Sequence, residues 1–477
     1  MTEQMSSPAL AALQARVRHE LETLEIPLRP WVPERRDANG VPLTDVVVVG
    51  AGLSGLAIAF GLKRQGVARV VVIDAAPRGQ EGPWVTTARM RTLRSPKTLT
   101  GPDLGVPSLT YRAWHEAVHG ADSWAGLDKI DRVDWMNYLC WFRGAAGISV
   151  RNSTRLKRIE PQDVGLSLLL ATQEGEERLA CRKIVLATGI EGAGGQHVPD
   201  AISSILPRSR WNHSGESFDT SSLAGKSVGV VGAAASSFDL AVAALEAGAG
   251  EVTIFARSAE MPKTEILDWS NFPGFLNHFA DLDDAKRYRF TRRMFSFRTP
   301  PTMEMFTRAT SFANCRLVLG AGNVTAEMAG DFVVLDTAAG RFEVDHLLMG
   351  TGYSVDLNRR PELAGLVEQI ATWADRYTPP GDEADPDLLD YPYLGRAFEF
   401  TEKVPGEAPY LRDIHVFNNG AVPSLGPVCN GITGLKSGVP KLVLGIARGL
   451  FIEDADWHFG SLDSYDKVHF APPLPTS

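Results

Sequence analysis

The chain has 477 residues but only four cysteines, Cys140, Cys181, Cys315 and Cys429, and no two are near each other in sequence. There is no CxxC pair, no zinc spacing among the cysteines and no evident disulfide framework. That argues against a disulfide reductase and suits a reducing cytoplasm, so a cytoplasmic protein without a metal is expected. Long basic runs are also missing and the net charge is -9. Nucleic acid and anionic membranes are therefore not expected partners. The most apolar segment, Val46–Leu62, is too short to span a bilayer and is broken by Gly50, Gly52, Gly55 and Gly61. No basic segment followed by an apolar run opens the chain, so no signal peptide is expected. No catalytic triad is visible.

What is present is ordinary globular composition, 44% hydrophobic and 22% charged. At this length two or three domains are expected. Leu10, Leu13, Val17, Leu21 and Leu24 recur at three- and four-residue steps, the stripe of an amphipathic helix. Asp45–Val49 is a β-branched run followed by a glycine turn, a helical pattern and a second run, "ARVVVIDAAP". This is a βαβ unit. The order recurs at 227–257 as "SVGVVG", a helix, then "EVTIFARS". Between the two units lie a Trp-rich stretch (Trp114, Trp124, Trp135, Trp141) and a Gly/Ser/Pro-rich segment, 190–224, read as a linker. The tryptophans are core or pocket lining. Segment 375–410, rich in Pro and acids, reads as surface loop, and a final helix is expected at about 435–451.

"VVVVGAGLSGLAIA" carries a complete G-x-G-x-x-G in Gly50, Gly52 and Gly55. The first glycine permits the tight turn, the second lets the backbone approach a pyrophosphate, and the third lets helix and strand pack closely. The helix start offers free N–H groups to the phosphates. Asp74 closes the second strand, where a carboxylate accepts hydrogen bonds from a ribose. The second turn, "VVGAAASSFDLA", keeps Gly232 but has Ala234 and Ser237 at the next two glycine positions. Ala234 adds a methyl that crowds a pyrophosphate without excluding it. Ser236 and Asp239 are placed to cap the helix. At the end of this unit's second strand Arg257 replaces the acid, and a guanidinium suits a 2′-phosphate. The reading is an NADPH site; the alternative is a structural βαβ unit with a surface arginine.

With both turns in place, the chain resembles the class B flavoprotein monooxygenases, which include flavin-containing monooxygenases, amine N-hydroxylases and Baeyer–Villiger enzymes. The resemblance covers most of 43–451. "GAGLSG" looks like their FAD turn and "EGPW", ending at Trp84, like the element that lies against the flavin. "LATG", ending at Gly189, and "GTGY", with Gly352, look like the strand ends at the domain crossings. Gly232, Ser236 and Asp239 match the family's G-x-G-x-S-x-x-D turn. The Baeyer–Villiger fingerprint is damaged: His213 is in place, but Pro207 and Ser209 occupy its Phe and Gly positions. Stretches 91–102, 108–114 and 135–143 have more the look of amine N-hydroxylases.

The resemblance implies an α/β fold with two Rossmann-like domains, the NADPH domain inserted in the FAD domain, plus the N-terminal helix. The expected bounds are 1–39 for helix and extended arm, 40–190 and 346–477 for the FAD domain, and 191–345 for the NADPH domain. It implies FAD and NADPH as cofactors, and O2 with a small molecule as substrates. A C4a-(hydro)peroxyflavin would pass one oxygen to the substrate, with an amine nitrogen preferred and Baeyer–Villiger or sulfur oxygenation as alternatives. An FAD/NADPH reductase that serves a partner protein is the rival from another class. Trp84, Arg89, Arg94 and Lys97 are candidates for the flavin region. Arg94 and Lys97 would anchor an anionic substrate or the nicotinamide end; otherwise they form a solvated basic loop. His213 is a catalytic-side residue or a linker histidine. Asn430 and Thr433, at the start of the final helix, contact the flavin or simply cap the helix. A homodimer would be unsurprising.

Overall fold

The computed structural model describes residues 7–429 and 431–470. The run of valines in the strand Thr44–Val49 is buried on both faces, as the central strand of a parallel sheet must be. It pairs in parallel with Val70–Ile73 on one side and with the end of the long strand Gly175–Gly189 on the other. Val150–Arg151 extends the sheet beyond Val70–Ile73, and Ile414–Asn418 returns to pair with Gly175–Gly189. The first half of that long strand leaves the parallel region and forms an antiparallel meander with Leu166–Thr172 and Arg155–Pro161.

The second sheet has five strands, all parallel, in the order Cys315–Val318, Glu251–Phe255, Ser227–Val231, His346–Met349, Trp211–His213. The chain enters this second unit after Gly189 and leaves it after Met349. The two crossings are hydrogen-bonded to each other as a short antiparallel ribbon, Gly194–Gln196 against Tyr353–Val355. The family-implied arrangement, one dinucleotide fold inserted in another, is the observed one.

Several expectations need correction. The boundary placed at 345/346 falls before a strand of the second sheet, because His346–Met349 pairs with Ser227–Val231. Segment 190–224 is no linker: it supplies the edge strand Trp211–His213 and buries Ile202, Leu206 and Trp211. Segment 375–410 is not a surface loop throughout, since Leu388, Tyr391, Leu394, Phe398 and Phe400 are buried under its polar residues. The N-terminal stripe holds for Leu10, Leu13, Val17 and Leu21, but Leu24 lies past the helix Pro8–Thr23 and is exposed. The final helix runs over Ile432–Glu453 and is followed by another, Ala455–Asp463. Trp114, Trp135 and Trp141 are buried core, packed with Tyr111 and Tyr138.

The end of the long helix is pinned to the first sheet by buried charge. Asp454 accepts from Arg182 at 2.7 Å and Arg35 at 2.7 Å, while Lys183 pairs with Asp413 at 2.5 Å and with Glu453. Removing one partner of such a network strands the others without water. Among the described residues, no helix is long and apolar enough to cross a membrane.

Candidate active site

The first turn leaves strand Thr44–Val49 at Gly50, whose φ is +102°. A Cβ there would lie 2.4 Å from the Ala187 carbonyl oxygen. The helix Leu53–Arg64 begins with Gly52 as N-cap; no side chain caps it and no acid stands in its first turn. Its leading N–H groups are thus left for an anion. A Cβ on Gly55 would come within 1.7 Å of the Gly50 carbonyl oxygen, so helix and strand touch backbone to backbone. Asp74 accepts from the N–H groups of Ala51 and Ala76, both at 2.7 Å, which ties the end of the second strand to the turn. Burial raises its carboxyl above the usual range against those two bonds.

Loop 81–94 folds over this turn. Gly82 is the nearest neighbour of the missing Gly52 side chain, its Cα 3.7 Å away. Glu81 is buried, bound by Arg143 at 3.0 Å, Asn152 at 2.7 Å and the Gly79 N–H at 2.7 Å. Trp84 packs edge-on against Trp135, and its buried indole N–H has no partner among the described residues. A small pocket beside the turn is lined by Ala51, Leu56, Arg78, Glu81, Cys140 and Arg143. An uncapped helix start, an orphaned indole donor and an adjoining pocket fit a bound flavin dinucleotide.

The second turn repeats the design with a substitution. Gly232 has φ +113° and a Cβ there would stand 2.6 Å from the Gly350 carbonyl oxygen. The helix Ala235–Glu246 has Ala234 as N-cap, again with no side-chain cap, so Ser236 and Asp239 do not cap it as expected. The Ala235 N–H is already held by the Thr299 carbonyl at 3.0 Å. A pyrophosphate at this turn therefore has to share or displace that contact. Arg257 is exposed just past the strand Glu251–Phe255, open to a phosphate.

Between the domains lies a cleft of about 110 Å³. Arg89, Met90 and Arg94 line one side, and Ser214, Ser236, Asp239 and Tyr353 the other. Arg94 donates to the Asp239 carboxylate at 2.5 Å. Burial raises the Asp239 carboxyl, partly opposed by Arg94. Arg89 donates to the carbonyls of Thr87, Ser214 and Glu216 and lies over the Phe218 ring. Both arginines thus join loop 81–94 to the second domain.

Two candidates lie elsewhere. Lys97 is spent on the carbonyls of Trp124 and Leu127, and its ammonium sits over the Trp124 ring; it does not line the cleft. His213 is neither linker nor cleft wall. It ends the edge strand of the second sheet, fully buried beside Tyr353, and its Nδ1 accepts from the Gly215 N–H at 3.0 Å. Burial pushes it down to about 4, so the ring is neutral at pH 7. Gly189 and Gly352 stand at the two crossings, with open space where a side chain would be. Thr433 is half-buried in the first turn of the helix Ile432–Glu453, where no side chain of the described residues caps the start; Asn430 lies outside the described residues. Tyr353 and Ser214 enter the site unannounced. Tyr353 stands in the quoted "GTGY", whereas Ser214 follows His213 with no signal of its own.

Residues 47–191 match a family model described as FAD-NAD(P)-binding, and residues 123–299 match one for L-lysine 6-monooxygenase/L-ornithine 5-monooxygenase. The chain is 42% identical to the FAD-dependent urate hydroxylase of Xanthomonas campestris pv. campestris over 467 residues, 98% of each chain. Among solved structures, it shares its fold with the ornithine N-hydroxylase of Kutzneria sp. 744, at TM-score 0.65 and 17% identity over 86% of this chain and 100% of that one. The ornithine hydroxylase of Pseudomonas aeruginosa gives TM-score 0.67 and 16% identity, over 86% of this chain and 100% of that one. The chain belongs to the family of the FAD-dependent urate hydroxylase, and its matches to the FAD-NAD(P)-binding and lysine/ornithine monooxygenase models accord with the resemblance to the class B flavoprotein monooxygenases.

Proposed function

We propose that this monooxygenase hydroxylates urate or a closely similar planar oxopurine anion. The observation that carries this reading is the 42% identity to the urate hydroxylase, which extends over 98% of both chains and so spans both turns and both sides of the cleft. When bound, FAD supplies oxygen activation and NADPH the electrons. One atom of O2 goes to the substrate and the other leaves as water.

The chain's own residues bind, orient and enclose. Gly50, Gly52 and Gly55 with the start of Leu53–Arg64 would hold the FAD pyrophosphate, Asp74 its ribose end, and the Trp84 indole N–H a polar atom of the same cofactor. The start of Ile432–Glu453, with Thr433, would face the isoalloxazine end. Gly232, Ser236 and Arg257 would hold NADPH. Arg89 fixes the 214–216 backbone against loop 81–94, which keeps the cleft walls in register. Arg94, half-neutralised by Asp239, is the cleft cation that an anionic substrate or the nicotinamide end would meet. Displacing Asp239 from Arg94 would free a full charge for it.

Oxygenation of an amine nitrogen is the second reading. It is favoured by the match of residues 123–299 to the lysine/ornithine monooxygenase model. One experiment separates the two. Purified enzyme, NADPH and isotopically labelled O2 are incubated with urate, and in parallel with L-ornithine and L-lysine. The urate reading expects one urate lost per NADPH, with label in the product. Label in a hydroxylated amino acid, with urate intact, would replace it by the second reading. NADPH oxidation with no labelled product would point to a reductase.

A further inference from the structure

We propose that His115, His119 and Asp134 form a binding site for one divalent cation of the zinc class, apart from the dinucleotide cleft. The expectation of no metal rests on cysteine spacing, which is blind to a His–Asp set. "HEAVH" places two imidazoles four residues apart on the helix Tyr111–His119, hence on one face. Asp134 comes from the first turn of the neighbouring helix, Arg132–Ala145. Each residue offers one ligand atom, and the three atoms lie within 4.8 Å of one another. The two imidazole centroids are 4.5 Å apart, and His119 Nε2 stands 2.9 Å from Asp134 Oδ2. Ligand atoms about 2.0–2.2 Å from a tetrahedral zinc are themselves roughly 3.3 Å apart, so the His119–Asp134 pair would open by a few tenths of an ångström while atoms as far apart as 4.8 Å would have to close on the ion.

The surroundings suit a metal. The Tyr111 hydroxyl lies 3.3 Å from His115 Nδ1, an outer partner that orients the ring and leaves Nε2 for the ion. His115 is buried, whereas His119 and Asp134 keep 31% and 29% of their side-chain surface. The ion therefore has an access route, and a water can complete four-coordination. The ammonium of Lys97 is nearby but is committed to two backbone carbonyls. A metal here would staple two helices behind the flavin loop: Tyr111 packs on Trp135, and Trp135 packs on Trp84.

The test uses full-length, FAD-loaded protein, freed of any affinity tag and stripped with a chelator. Co2+ is titrated in and followed to the red of the flavin bands; Zn2+ is added to a second sample before thermal unfolding. The site predicts one equivalent of intensely absorbing, tetrahedral Co2+ that Zn2+ displaces, and a Zn2+-dependent rise in unfolding temperature. His119→Ala and Asp134→Asn should abolish both while retaining wild-type flavin content. Both side chains are partly exposed, so these variants should fold. Absence of the cobalt spectrum, or the same spectrum in His119→Ala, would overturn the proposal.

Discussion

The two dinucleotide turns share their first glycine and differ at the helix residue five positions on. In the first, Gly55 is bare against the Gly50 carbonyl, whose oxygen stands 1.7 Å from where a Gly55 Cβ would lie. In the second, the helix carries Ser237 and the facing strand end is bare at Gly350. The Ser237 side chain fills the space that a Cβ on Gly350 would need: such a Cβ would lie 2.2 Å from Ser237 Oγ. Gly350 thus accommodates the Ser237 side chain, whereas Gly55 is demanded by the carbonyl of its own turn. The first glycine is common to both turns, because Gly50 and Gly232 both take a left-handed backbone against a carbonyl. Ser237 of the second turn is thus paired with a glycine over a hundred residues away.

The largest expected effect tests this directly. Gly55→Ala should yield little folded, flavin-bearing protein, since the added carbon has no room beside the Gly50 carbonyl. Ser237→Ala at the matching place should cost less than about 1.5 kcal/mol, the worth of an ordinary hydrogen bond. Flavin absorbance per protein and thermal unfolding read both. Gly350→Ala should cost about 1–3 kcal/mol as an overpacked site. Adding Ser237→Gly should recover part of that loss, and simple additivity in the double variant would deny the compensation.

Next comes the difference in charge at the ends of the second strands, Asp74 in one unit and Arg257 in the other. Arg257→Ala should weaken NADPH binding roughly 10- to 150-fold, the equivalent of about 1.5–3 kcal/mol for a charge-assisted contact. NADH should be nearly unaffected. Equal losses for both nucleotides would remove Arg257 from the phosphate site.

A last contrast shows only in acid. Burial pushes His213 and His346 down to about 4, and His415 to about 3. An unfolded histidine titrates near 6.5, so below that pH the unfolded chain takes up protons that the folded chain refuses. Stability should fall as pH drops from about 6.5 toward 4, by up to about 1.4 kcal/mol per pH unit for each ring. Two of the three rings belong to the second sheet. His346→Gln should reduce the limiting slope of unfolding free energy against pH by up to about 1.4 kcal/mol per pH unit; an unchanged slope would mean that His346 is not held neutral by the fold.

The first turn was wholly legible in sequence because strand, glycines, helix and acid lie within one short stretch. The second was legible except for its pairing with Gly350, which only folding brings alongside. The cleft was half legible. Arg89 and Arg94 stood out as cations near a flavin motif, but the pairing of Arg94 with Asp239 joins positions 145 residues apart. Lys97 had the same local look, and nothing nearby in sequence tells that two carbonyls at the end of another loop would claim it. Segment 375–410 misled through composition: its prolines and acids mask the inward-facing Leu394, Phe398 and Phe400.

The paired crossings have a mechanical consequence. Two independent tethers would let the inserted domain swivel, tilt and slide. A hydrogen-bonded ribbon of two antiparallel strands resists torsion and in-plane shear, and yields mainly to bending across its face. The two crossings are therefore one joined connection, and it carries Tyr353 into the cleft wall.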